Sequence, residues 1–153
     1  LAKLWNRAVI NSTNNLVLVL NDDIQVTEEF FDLLDSLVPK CKGKITLFNR
    51  IFSHFVVDRE LLNELNWFDE RFLGVGKEDR DIQQKIQCHN ITTPTIDSRH
   101  IETTQPIPNM KTYGGKYTKF NDIFFTAKHH EKKEPEQLQY PYYSFEVENY
   151  DKL

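Results

Sequence analysis

Two oxygen-rich clusters hold the side chains best suited to chemistry. Asn21-Asp22-Asp23 ends the unbroken apolar run Leu16-Val17-Leu18-Val19-Leu20, and Glu78-Asp79-Arg80-Asp81 follows the glycines Gly74 and Gly76. Adjacent oxygen donors at the carboxyl end of a buried strand can hold a hard divalent cation, which a diphosphate requires. Glycine allows tight turns and close approach of a ligand, and a carboxylate at the lip of a cleft can take a proton from a hydroxyl. Both clusters also admit a plain structural reading. The first is a polar turn leading into a helix that begins after Thr27. The second sets acids in the first turn of a helix, where each stabilises the dipole by about 0.3–1 kcal/mol with no substrate involved.

The elements that must position these clusters follow from spacing. Leu1, Leu4, Trp5, Ala8 and Val9 recur at helical intervals, and Asn11 to Asn15 is a polar stop. The run from Leu16 to Leu20 predicts a strand covered on both faces, as in a parallel or mixed sheet. Thr27 is the expected N-cap of the next helix, with Glu28 and Glu29 at its positive end. Its stripe is Phe30, Leu33, Leu34 and Leu37, and Pro39 is expected to end it. Ile45 to Phe48 and Phe52 to Val57, with Asn49-Arg50 between them, predict a hairpin or two neighbouring strands. Asp58 then caps a short helix carrying Leu61, Leu62 and Leu65. An aromatic turn from Asn66 to Phe72 precedes the second acidic cluster, and Ile82, Ile86 and His89 continue that cluster as a helix. Ile91 to Ile96 predicts a strand interrupted by Pro94, and the stretch from Pro106 to Gly115 a loop. Residues 129–153 read as a charged and aromatic tail or linker without a period of its own.

A chain of 153 residues can build one domain with a real core. Its 39% hydrophobic and 27% charged residues give the balance of a folded globular protein. A net charge of −4 supplies no broad positive field, so nucleic acid is not expected as the main partner. No apolar run approaches the roughly 20 residues of a spanning helix, and no signal-peptide pattern opens the chain, so no membrane segment is expected within it. The chain begins at Leu1 inside an amphipathic pattern and is expected to belong to a longer protein, with an upstream anchor or signal left open. Cys41 and Cys88 are too few for a disulfide framework and match no zinc knuckle; both are expected to be buried, reduced thiols.

Residues 1 to about 128 resemble the second half of GT-A glycosyltransferases. The likeness extends to the broad family-2 transferases and to the galactosyl- and N-acetylgalactosaminyltransferases with a Trp-Gly-Gly-Glu-Asp motif. It rests on Leu18-Val19-Leu20-Asn21-Asp22-Asp23-Ile24 and, more specifically, on Phe68-Asp69-Glu70-Arg71-Phe72-Leu73-Gly74-Val75-Gly76-Lys77-Glu78-Asp79-Arg80-Asp81-Ile82. The resemblance implies an α/β, Rossmann-like GT-A fold, a mixed sheet flanked by helices, here lacking the amino-terminal strands that hold the nucleotide. It implies a metal-dependent, inverting transfer of a sugar from a nucleotide-sugar donor, a UDP-sugar, to a hydroxyl of a saccharide or glycoconjugate acceptor. Asp23 falls at the metal-binding end of the family's Asp-x-Asp motif, with Asn21 in its first position and Asp22 between. His100 is the natural occupant of the histidine position that completes the site for Mn²⁺ or Mg²⁺, and it reads equally as an exposed bystander. Asp79 falls where the general base sits and Glu78 where an acceptor-binding carboxylate is found, with Gly76 and Asp81 beside them. Val75 and Lys77 stand in place of the motif's Trp and second Gly, so galactose-type specificity does not carry over. The expected compartment is the cytoplasm, or the Golgi lumen if an anchor lies upstream.

Trp67 and Phe72 flank the acidic loop and suit stacking on an acceptor sugar, although aromatics beside a turn are more often core. His54, His89, His129 and His130 match no motif and read as surface or packing residues, and Asn121 to Lys128 reads as a closing segment that packs. Two other classes compete with a transferase. One is an inactive GT-A module that binds a saccharide or a partner protein; the other is a metal-dependent nucleotidyltransferase using the same acidic loop.

Overall fold

The run at residues 16–20 forms strand β1 (Leu16–Leu20), and its alternate side chains enter opposite faces of a sheet. Val17 and Val19 belong to one core cluster, while Leu16 and Leu18 lie against another. The computed structural model describes residues 1–104 and 115–131. Around β1 the chain forms α1 (Ala2–Ile10), β2 (Ile24–Val26), α2 (Glu28–Cys41), β3 (Ile45–Phe48), β4 (Ile51–Asp58), α3 (Arg59–Glu64), α4 (Glu78–Cys88), β5 (Thr95–Ile96), β6 (Ile101–Thr103) and α5 (Gly115–His129).

The main sheet runs β1-β4-β3-β5, antiparallel except for the parallel pair β3/β5, and β2 with β6 makes a separate antiparallel ribbon. The result is a mixed α/β protein with helices on both faces of a mixed sheet. One face carries α1, α3 and α4 through Trp5, Val9, Leu62 and Ile82. The other carries α2 and the ribbon through Phe30, Leu37, Ile24 and Ile101. Phe30 packs edge-on against Phe48 with ring centroids 4.9 Å apart, and burial of each such ring is worth about 1.5–3 kcal/mol.

Asn49 and Arg50 both have positive φ, 50° and 63°, the geometry of a two-residue hairpin turn, so the segments around them are one hairpin. The Asn49 amide is fully used: it accepts from the Ser98 N–H and donates to the Ser98 and Ile101 carbonyls. Asp58 caps α3 as expected, its Oδ1 accepting from the Glu60 N–H at 2.9 Å. Thr27 occupies the N-cap position of α2 but makes no side-chain cap bond. Pro39 does not end α2, which continues to Cys41. So near the carboxyl end a proline forfeits one intrahelical bond, and buried Leu37 and Cys41 hold the final turn. The strand foreseen over residues 91–96 shrinks to two residues, because Pro94 has no N–H and joins the sheet through its carbonyl, which accepts from the Leu47 N–H. Leu4, foreseen on the apolar face of α1, is 67% exposed; the buried positions are Ala2, Trp5, Asn6 and Val9. Cys41 is buried but Cys88 is exposed, and both are free thiols. Among the described residues no helix is long and apolar enough to cross a membrane. The foreseen loop before Gly115 and nearly all of the 129–153 tail lie outside the described residues.

Candidate functional site

Beyond the carboxyl end of β1, Asn21 stays tied to the sheet by donating its N–H to the Ser53 carbonyl at 2.8 Å. A cleft of about 800 Å³ opens there. The strand ends contribute Asn21, Phe52 and Ser53, and the start of α4 contributes Gly76, Glu78 and Asp79. Asn21 of the first cluster and Glu78, Asp79 and Arg80 of the second, far apart along the chain, therefore share one concavity, whereas Asp22 and Asp23 do not line it.

Helix α1 holds a hook on each. Its Trp5 indole N–H donates to Asn21 Oδ1 at 3.3 Å, and the same ring meets Phe55 and Phe68 edge-on at 5.4 and 5.1 Å. One residue on, the fully buried Asn6 donates to the Phe68 carbonyl and to Glu70 Oε1 and accepts from the Phe68 N–H. The aromatic turn that leads into the second cluster is thus moored to the helix that also steadies Asn21.

The loop before α4 is shaped by backbone conformations that favour glycine. Gly74 has φ 62°, and a β-carbon there would lie 2.7 Å from the Tyr117 ring; Gly76 has φ 123°. Asn121 of α5, with no exposed surface, clamps this loop by accepting from the Leu73 N–H and donating to the carbonyls of Leu73 and Gly76, each at 2.9 Å. Lys77, with φ 76°, pairs with Asp122 at 2.8 Å. Glu78 is buried, and its Oε2 accepts from the Gly76 N–H at 2.6 Å. Burial pushes its carboxyl up, with backbone hydrogen bonds offsetting part of the rise. Asp79 is half-buried on the cleft wall, with Oδ1 accepting from the Arg80 N–H.

Four other residues foreseen for binding stand elsewhere, each for a visible reason. Asp81 is fully buried and turned away from the cleft, where Lys128, His129 and Lys85 surround its carboxylate at 2.6, 2.7 and 3.4 Å. Lys128 also reaches Asp69, which Arg71 grips with two hydrogen bonds. Burial alone would raise both carboxyls, but these cations hold Asp69 well below the usual carboxylate range and lower Asp81 as well. Trp67 is 4% exposed in the core, its indole N–H donating to Asn63 Oδ1. Phe72, 3% exposed, packs edge-on against Phe124 at 4.9 Å. His100 lies at the far end of the β2/β6 ribbon from Asp23. Its carbonyl accepts from the Thr27 N–H while the Asp23 carbonyl accepts from the Thr104 N–H, a separation of four residues or about 13 Å of strand. Asp22 is exposed.

Asp23 is half-buried, and its Oδ1 is buried without a hydrogen-bond partner. A second such atom is Nε2 of His54, a residue with 1% exposure on β4 that faces Leu20 across the β1/β4 pairing. Burial lowers the affinity of this ring for a proton, and the Asp23 carboxylate partly restores it. Sequence spacing had no means of marking His54, because only the strand register brings it to the end of β1. Asn121 escaped notice as more than packing for the same kind of reason.

Among the described residues no group of three or more His, Cys, Asp or Glu is arranged as a metal site. At the end of β1, Asn21 Oδ1 accepts from the Trp5 indole, while Asp23 Oδ1 and His54 Nε2 are buried without a hydrogen-bond partner. No protein-family model, curated protein or solved structure matches this chain. Its class therefore rests on its own architecture: a mixed α/β protein in which the Asn21 amide and the Glu78 and Asp79 carboxylates line one cleft where a sheet strand ends.

Proposed function

We propose that this chain is the catalytic part of a GT-A-type, metal-dependent inverting glycosyltransferase that moves a sugar from a UDP-sugar to an acceptor hydroxyl. The observation that carries the reading is the shared cleft, which joins Asn21 at the end of β1 to Glu78 and Asp79 at the start of α4. Sites at strand ends in α/β sheets are the usual place for nucleotide-linked ligands. Asp79 takes the proton of the acceptor hydroxyl. The acceptor oxygen attacks the anomeric carbon as the bond from that carbon to the diphosphate oxygen breaks, and the configuration inverts. Glu78, buried beside it, holds the loop through Gly76 and offers its remaining oxygen to an acceptor hydroxyl. Asp23 and the Asn21 carbonyl are the residues to hold Mn²⁺ or Mg²⁺, which when bound offsets charge on the departing diphosphate. Asp81, Trp67 and Phe72 support the site from within the core and do not touch substrate.

The test pairs binding with turnover. UDP titrated into the chain with Mn²⁺ present is expected to bind, Asp23→Ala to abolish that binding, and Asp79→Asn to leave it intact. Asp79→Asn is expected to lower turnover of a UDP-sugar with a saccharide acceptor by about 10²–10⁴-fold. Equal loss of binding and turnover in Asp79→Asn would remove the base role, and no UDP binding by the intact chain would remove the transferase reading. Release of pyrophosphate in place of UDP would identify a nucleotidyltransferase; acceptor binding without release of either product would identify a binding module.

A further inference from the structure

Single apolar side chains on a protein surface are ordinary, but apolar side chains gathered in a concavity beside a few fixed polar groups mark a ligand site. The cleft has that composition. Ile51 and Val75, 46% and 42% exposed, both line it, and the buried Phe52 joins them. Val75 sits in the glycine loop just before Glu78 and Asp79, so apolar and acidic lining follow one another along the chain. Strand β4 supplies three consecutive lining residues, Ile51, Phe52 and Ser53, although neighbours on a regular strand face opposite sides of a sheet. The cause is a shift in the β3/β4 register: Leu47 pairs with Phe55 but Phe48 pairs with Ile51, and residues 52–54 have no partner in β3. Such a bulge bends its strand and re-aims side chains. Water held against exposed aliphatic groups is released when an apolar group takes its place, whereas sugar hydroxyls gain nothing there. Carboxylates accept hydrogen bonds from hydroxyls and gain nothing from an alkyl chain. A ligand that satisfies both linings carries hydroxyls at one end and an apolar group at the other.

We propose that the cleft takes a glycoside with an alkyl aglycone, whose sugar hydroxyls meet Glu78 and Asp79 and whose chain lies on Ile51, Phe52 and Val75. The inference rests on the acceptor role proposed for the two carboxylates and adds the class of acceptor, an amphipathic glycoside in place of a free sugar. Ile51 and Val75 are then specificity residues: they act on affinity for the aglycone and leave the transfer step to Asp79. Covering the open half of such an aliphatic side chain is worth about fivefold in affinity for each residue.

The experiment titrates the intact chain calorimetrically with octyl glycosides kept below their micelle concentrations and with the matching methyl glycosides, taking glucose, galactose and N-acetylglucosamine as the sugars. For at least one sugar the octyl form is expected to bind about tenfold tighter than the methyl form, or better. Ile51→Thr and Val75→Thr keep a branched side chain at a half-open position. Each should weaken octyl binding by about fivefold and leave methyl binding unchanged. Val38→Thr, at a similarly exposed position on α2 outside the cleft, should change neither. Equal affinity for the octyl and methyl forms overturns the proposal. So does an octyl advantage that survives the double variant Ile51→Thr/Val75→Thr, or one that falls as far in Val38→Thr. No binding of any of the glycosides overturns it too. Should the double variant fail to fold, the single variants decide, and an octyl advantage untouched in both overturns the proposal. An octyl advantage that the cleft variants remove supports the apolar subsite even in a chain that binds no UDP, where the transferase reading falls. Turnover of methyl and octyl acceptors with equal kcat/KM keeps the transferase reading and removes the subsite.

Discussion

Glu78 and Asp79 are adjacent acids with different surroundings. Asp79 is half-buried at the cleft, whereas Glu78 is 4% exposed and its carboxyl is pushed up by burial. A carboxyl with a raised folded value costs stability once it is charged. Below about pH 4 it carries a proton in both the folded and unfolded chain and costs nothing; above its folded value the full cost is present. Glu78→Gln removes the charge and keeps an oxygen for the Gly76 N–H, so it is expected to raise Tm at pH 7 and leave it unchanged near pH 3.5. Melting curves at the two values check this, and equal Tm for the variant and the parent at pH 7 would show that burial of the charge is relieved in solution. The stretch of acids was legible in the sequence, and so was its place in the first turn of a helix. Their division into a half-open and a closed carboxylate was not, because it depends on how Gly76 and Asn121 fold the loop over the helix start.

Among the elements, α5 has the clearest mechanical role. Asn121 satisfies three backbone groups of the loop over residues 73–76, and Lys128 and His129 reach the buried Asp81. Removing a side chain that satisfies buried backbone groups leaves them unpaired, at about 1–3 kcal/mol for each group. Asn121→Ala is therefore expected to destabilise the protein by at least that amount, and to speed hydrogen exchange at the Leu73 amide relative to amides of β4. Uniform acceleration at all sites would mean that the whole fold loosens and that the clamp is not local. In the sequence, Asn121 to Lys128 reads only as a closing segment that packs. The clamp itself was hidden, since Asn is a common surface residue and nothing in local spacing shows that this one faces a glycine loop.

Across the whole molecule, a buried charge network joins the aromatic turn, α4 and α5. Asp69 and Asp81 are ionised in the core because Arg71, Lys128, His129 and Lys85 surround them. Buried ion pairs contribute little net stability when complete, but losing one partner strands a charge. Both carboxyls have folded values below their unfolded ones, so their contribution is complete above about pH 4 and disappears as pH falls through the folded values. The Tm of the intact chain is expected to fall most steeply below pH 4. The relief of Glu78 acts in the opposite sense and at higher pH, so the two effects occupy separate windows. Thermal melts between pH 6 and 2.5 check the order, and a flat profile below pH 4 would mean that the network does not hold these elements together.

The apolar run from Leu16 to Leu20, the apolar runs on either side of Asn49-Arg50 and the periodicity after Glu78 by themselves determined a two-faced strand, a hairpin or two neighbouring strands, and a helix with acids in its first turn. They are local matters, set by side-chain alternation and by which residues tolerate positive φ. Only the tertiary structure decided which side chains meet. The β1/β4 register set His54 opposite Leu20, the docking of α5 withdrew Asp81 into a salt network, and the length of the β2/β6 ribbon kept His100 away from Asp23. Register and helix docking are set by summed packing between segments distant in the chain, and no window of neighbouring residues contains that sum.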